Sequence, residues 1–185
     1  MVQHSNHERV AIFIDGSNHY HILKEMFPDK RIASFNFRKF IKSLIGKRKH
    51  VRIYYYGAPL DMSYNEQTYM KQQQFFDIIQ RIPDFNLILC RIQKVKVDGK
   101  IIYQVKEDDI HLAVDMVKLA YNDAYDTAIL VSSDENFVPA IIAVKEKGKK
   151  VENIDFENKL SYHLRQKSDR FRKLTKEEVK QFFEE

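Results

Sequence analysis

Several runs of this chain are apolar at nearly every position instead of every second one, notably VAIFI at 10–14 and TAILV at 127–131. A strand with one wet face alternates; a strand apolar on both faces is covered on both, as in parallel sheets flanked by helices. Between these runs lie stretches with helical spacing, long enough to serve as crossovers. The alternation therefore predicts an α/β fold with a mostly parallel sheet. The 185 residues, 44% of them hydrophobic, suit one domain, with a core at about 9–174 and a C-terminal helix at about 175–183.

In chain order the pattern predicts a strand at 9–14, a helix at 17–27 stopped by Pro28, and a helix whose Phe37, Phe40, Ile41, Leu44 and Ile45 share one face. A strand at 50–56, a GAPLD turn, a helix at 64–81 stopped at Pro83 and a strand at 86–91 follow. IQKVKVDGKIIYQV alternates on both sides of Asp98 and Gly99, predicting a hairpin flap at the end of the sheet. Beyond it, Ile110, Ala113, Val114, Val117, Leu119 and Ala120 mark a helix, TAILVS a strand, ENFVPAIIAVKEK a helix closed by Gly148, and VENIDF a strand. Two short helices, 158–168 and 175–183, complete the expectation.

In such sheets ligands bind beyond the carboxyl ends of the strands, where the strand order reverses. Asp15 ends the first apolar run, Asp134 follows TAILVS by two residues, and Asp109 opens the helix before that strand. Neighbouring strands at the reversal would gather these acids. Clustered carboxylates raise one another's pKa values unless a cation neutralises them, and an all-oxygen set without Cys or His suits Mg²⁺ or Mn²⁺. Such ions support phosphodiester hydrolysis. Each acid also has a capping reading: Asp15, Asp108 or Asp109, and Asp134 all precede or open a helix, and Ser132 with Glu135 has the SxxE spacing of a capping box. The two roles are compatible.

Residues 30–52 hold Arg38, Lys39, Lys42, Lys47, Arg48 and Lys49 among nine cations, with no acid. That stripe would attract a polyanion, or simply be a solvated helix face. The single cysteine, Cys90, excludes a disulfide within the chain and a cysteine zinc site. The seven histidines show no HExxH or other ligand spacing, so the attacking water is expected to be activated by metal. No run approaches the roughly 18 apolar residues of a membrane span, and the first residues lack a secretory pattern, so the expectation is a cytoplasmic protein without a membrane partner.

With FIDGSN, KEDDIHLAVDM and YDTAILVSSDENF in order, the chain resembles the NYN domain, LabA-like group, a branch of the PIN-like nucleases, from about Arg9 to Leu174. The resemblance implies a three-layer α/β/α Rossmann-like fold and a Mg²⁺- or Mn²⁺-dependent ribonuclease centre acting on RNA sooner than DNA. By position it implies Asp15, Asp109 and Asp134 as metal ligands, with Asp115, six residues past Asp109 on the same helix, as a further candidate ligand. Asn18, Ser132 and Asn136 would position water or phosphate, with Ser132 and the basic stripe touching nucleic acid. The family's third motif usually reads SGDxDF; here Ser133 replaces Gly and Asn136 replaces the second Asp. The alternative is a weakened or inactive NYN domain serving as a nucleic-acid-binding or assembly module; a homodimer stays open. A haloacid-dehalogenase phosphatase fits poorly, because Ser17 stands where its second acid belongs, and no GK pair has P-loop spacing.

Overall fold

Arg9–Asp15 forms the central strand β1, buried from Val10 onward. The computed structural model describes residues 8–60, 62, 65–97 and 100–184. Around β1 lie Lys49–Gly57 (β2), Phe85–Leu89 (β3), Thr127–Val131 (β6), Lys150–Phe156 (β7) and Arg170–Leu174 (β8). Their order is β3-β2-β1-β6-β7-β8, and every neighbouring pair is parallel. The order reverses between β1 and β6, which run in register from Val10 opposite Thr127 to Ile14 opposite Val131.

Alternation along the strands divides the core in two. Ile12, Ile14, Ile53 and Tyr55 face helices Gly16–Met26 (α1), Phe37–Ile45 (α2), Glu66–Gln80 (α3) and Lys176–Lys180 (α7). Ala11, Phe13, Tyr56 and Leu130 face Asp108–Tyr121 (α4), Val138–Glu146 (α5) and Tyr162–Lys167 (α6). The result is three layers, as expected. Asn36 caps α2 by accepting from the Lys39 amide at 3.0 Å, and the five apolar residues read from the sequence are its buried face. Gly148, at φ 79°, closes α5 and donates to the Lys145 carbonyl.

Arg91–Val97 (β4) and Lys100–Lys106 (β5) pair antiparallel as a separate sheet, the predicted flap. Its turn at Asp98 and Gly99, like Asp61 of the GAPLD turn, lies outside the described residues. The Cys90 amide donates to the Gly57 carbonyl at 2.7 Å, tying the base of the flap to the end of β2.

One strand was not read from the sequence, and two expectations are corrected. The segment between the last two helices is strand β8, whose Arg170 and Lys173 are exposed while Leu174 is buried; charged side chains on an edge strand discourage pairing with another chain but mask its apolar alternation. The predicted 158–168 helix shortens to α6. On α4 the buried residues are Leu112, Met116 and Ala120, and Ile110 and Val114 are exposed. Of the residues read from the sequence, Ala120 is buried and Ala113, Val117 and Leu119 pack half-buried against the core, while Leu112 and Met116, which were not read, take the middle of the buried face.

Replacing the buried Leu112 by Ala should therefore remove about 2–4 kcal/mol of stability, whereas Ile110→Ala should stay within about 0.5 kcal/mol. Urea denaturation of both variants checks the orientation of α4.

Candidate active site

Asp15 is both the last residue of β1 and the N-cap of α1. Its Oδ1 accepts from the Asn18 amide at 3.0 Å, and its Oδ2 accepts from the Ser132 hydroxyl at 2.9 Å. Gly16 allows this sharp exit: a Cβ there would overlap the Tyr56 carbonyl oxygen and the Tyr55 ring. Capping and a further role are compatible, because each carboxylate oxygen has a second lone pair.

The loop after β6 is fixed from four directions. Ser132 holds Asp15 and accepts from the Asp134 amide at 3.1 Å, and Asn18 Oδ1 accepts from the Ser133 amide at 3.1 Å. From β7, Asn153 Nδ2 donates to the Leu130 and Ser132 carbonyls, and Asp155 accepts from the Ser133 hydroxyl. Asn153 and Asp155 are fully buried and were not singled out from the sequence. Two polar side chains besides Glu152 inside the strand run VENIDF were the available signal. Ser132 and Glu135 do not form a capping box: Glu135 instead accepts from Ser161 and meets His163.

Above these strand ends opens a cavity of about 780 Å³. Asp15, Asp109, Asp134 and Asn18 line it, as do Asp108 and Glu107. Ser17, His21, Ile110 and two flap residues, Arg91 and Gln93, complete it. The reading from sequence missed the flap residues, Glu107, and Asp108 as a site acid. Asp109 Oδ1 accepts from the Ile110 amide, and Asp134 Oδ1 accepts from the Asn136 amide, both at 2.9 Å.

Other candidates lie elsewhere. Asp115 accepts from the Tyr56 hydroxyl at 3.0 Å and is not among the lining residues; nor is Asn136, whose amide groups face Asp134. Ser132 is buried, so its hydroxyl serves Asp15 and is closed to a nucleic acid. Arg38, Lys39 and Lys42 are exposed on α2, on the opposite face of the sheet from α4. Lys47, Arg48 and Lys49 sit at the start of β2, where Lys49 pairs with Arg9, and are thus a strand length of roughly 20 Å from Asp15. Arg48 is spent on Glu152 at 2.8 Å and on the Leu44 and Ile45 carbonyls.

Burial pushes the Asp15 carboxyl up to about 6; hydrogen bonds from Asn18 and Ser132 oppose the shift, and the negative charges of Asp108 and Asp134 add to it. Among the described residues no three Asp, Glu, His or Cys side chains already stand close enough to clasp one ion. The donors nonetheless fit a hard divalent cation: they are oxygens, negative charge is concentrated, and Mg²⁺ commonly takes one or two carboxylates and keeps water on its other positions. Asp15 with Asp134, Asp108 or Asp109 would hold it.

The profile of the NYN domain matches residues 9–175. The chain belongs to the NYN domain family. It thereby falls in the PIN-like nuclease superfamily. A crystal structure of a protein of unknown function from Vibrio parahaemolyticus has the same fold, with a TM-score of 0.71 over 94% of this NYN chain and 96% of that one, at 22% identity. An uncharacterised protein of Methanocaldococcus jannaschii is 46% identical over 43 residues, 23% of this chain and 18% of its own length. Among the described residues no helix is long and apolar enough to cross a membrane.

A carboxyl raised by folding from 3.8 to about 6 binds more protons in the native state than in the unfolded one between those values. Stability therefore falls as pH rises through that window, and the penalty is complete above it. In EDTA at pH 7.5, Asp15→Asn should stabilise this NYN domain by on the order of 1–3 kcal/mol, and the gain should vanish near pH 3. Mn²⁺ should raise the melting temperature of the native chain more than that of the variant. Thermal melts across pH and metal measure both effects.

Proposed function

We propose that this NYN domain is a metal-dependent ribonuclease that hydrolyses phosphodiester bonds at the carboxylate-lined cavity. The supporting observation is that carboxylates from the end of β1, the start of α4 and the loop after β6 line one open cavity at the reversal of strand order. Five carboxylates against one guanidinium would repel a phosphodiester unless divalent cations intervened. When bound, Mg²⁺ or Mn²⁺ would lower the pKa of an attacking water and offset charge developing on the phosphate. Asp15, Asp134 and Asp109, with Asp108, would hold the ion directly or through its waters.

The protein's own contribution is to fix these donors before substrate arrives. Ser132 orients Asp15, Asn18 joins α1 to the loop carrying Asp134, and the Asn153–Asp155 pair keeps that loop from relaxing. Above its raised pKa of about 6, Asp15 is mainly ionised and competent to bind a cation. His19 cannot act as a base at the site: it is buried, and desolvation pushes it down to about 3. RNA is favoured over DNA by the family resemblance, and the exposed Arg38, Lys39 and Lys42 are available to a longer strand.

That no three Asp, Glu, His or Cys side chains among the described residues already stand close enough to clasp one ion supports a second reading, a binding module without turnover. Labelled single-stranded RNA and DNA incubated with EDTA, Mg²⁺ or Mn²⁺ separate the two. The ribonuclease reading expects RNA cleavage that requires metal and falls at least about 100-fold in Asp15→Asn and Asp134→Asn. RNA bound in EDTA but uncut under every condition would establish the module instead.

A further inference from the structure

Arg91 is the one guanidinium among the residues lining the cavity. It is the first residue of β4, fixed at its base by the bond from Cys90 to Gly57, yet its side chain is 80% exposed. Its Nε and Nη2 meet the two carboxylate oxygens of Glu107, the Nε bond at 3.4 Å. This fork suits a phosphate as well as a carboxylate. Glu107 is an odd choice for its place: φ is 76°, in the left-handed region, and its side chain makes no cap for α4. Its carboxylate is committed to Arg91, which holds it below the usual carboxylate range. The flap strands carry Arg91, Lys94, Lys96, Lys100 and Lys106, with no Asp or Glu.

We propose that Arg91 grips a backbone phosphate of the single-stranded substrate and that Glu107 occupies its fork in the free protein, so that binding exchanges the carboxylate for the phosphate. This rests on the ribonuclease reading and adds to it a substrate-positioning residue and a built-in competitor. The exchange is feasible because the ion pair is exposed and bathed in water, which weakens it, whereas a phosphate held beside the metal site gains the whole fork. The substrate strand would then enter along the flap, away from Lys47 and Lys49 at the opposite end of the strands.

The test is binding of a short fluorescent single-stranded RNA, followed by anisotropy over a range of KCl, with Ca²⁺ replacing Mg²⁺ to limit cleavage. R91A should weaken binding about 10-fold and reduce the slope of log affinity against log salt by roughly 0.7. R91K, which keeps the charge but not the fork, should fall between. E107Q should tighten binding, and in the R91A background that gain should shrink to the part owed to removing one negative charge from the cavity, because the rest acts through Arg91.

Affinity and salt slope unchanged in R91A would overturn the proposal, as would an E107Q gain of equal size with and without Arg91. Melting curves establish that each variant is folded, and if R91A is not, R91K and E107Q still decide. A native chain that cuts RNA while R91A binds normally rejects only the role of Arg91. A native chain that neither binds nor cuts RNA rejects the ribonuclease reading and this inference with it.

Discussion

The site depends on keeping an ionisable carboxylate where most of its water has been removed. Asp15 is 8% exposed at the end of the central strand, and the register of β1 against β6 leaves it no other place. Shifting that register by one residue would turn Phe13 and Ile14 to the wrong faces of a sheet that is apolar on both. The core therefore fixes Asp15, and Asp15 in turn carries a desolvation penalty relieved in part by Asn18 and Ser132. A protein selected for stability alone would place an amide or an apolar group there. Retaining the acid at that position is the kind of local conflict expected where structure serves chemistry.

The same core explains how the start of α1 is held. His19 lies one turn into α1, with its ring against Phe35, Phe37, Phe40 and Phe156 at centroid distances of 5.2–5.7 Å. Neutral and buried, it behaves as one more aromatic in that cluster. Because Phe156 closes β7 and Phe37 opens α2, this packing joins three elements directly beneath the Asp15–Asn18 turn. Gly16 lets the helix approach the β2 backbone, so the entry of α1 is set by packing below and by a missing side chain beside it.

Legibility in the sequence follows from how local each determinant is. β1 and β6 are readable because both faces are buried, β2 because its second half from Ile53 is largely buried, and α2 because only one phase of its pattern is apolar. Asp15 and Asp134 are readable because strand ends at the order reversal are where ligands bind, a rule that needs only topology. The phase of α4 is not readable in this way: IHLAVDMVKLAY offers apolar groups on several sides, and contact with the sheet selects Leu112, Met116 and Ala120. Nor is the distinction between Asp108 and Asp109. They adjoin in sequence, yet it is Asp108 whose charge bears on Asp15, a difference that only the placement of the start of α4 reveals. Arg91 escaped notice because its relevance depends on where the flap folds.

The two departures from the family's usual third motif act in different ways once the loop is seen in place. Asn136 points its amide groups at Asp134 and stands outside the cavity, so the change from Asp removes a repulsive neighbour of Asp134 without removing a lining acid. Ser133 does more than occupy the place of a glycine: its hydroxyl donates to the buried Asp155, whose other oxygen accepts from the Ser161 amide at 2.8 Å. A glycine would leave Asp155 one donor short in a place without water, which carries a penalty for a buried carboxylate. Ser133 and Asp155 thus form a unit, and the stiffness gained by the loop that carries Asp134 offsets the latitude a glycine would give it.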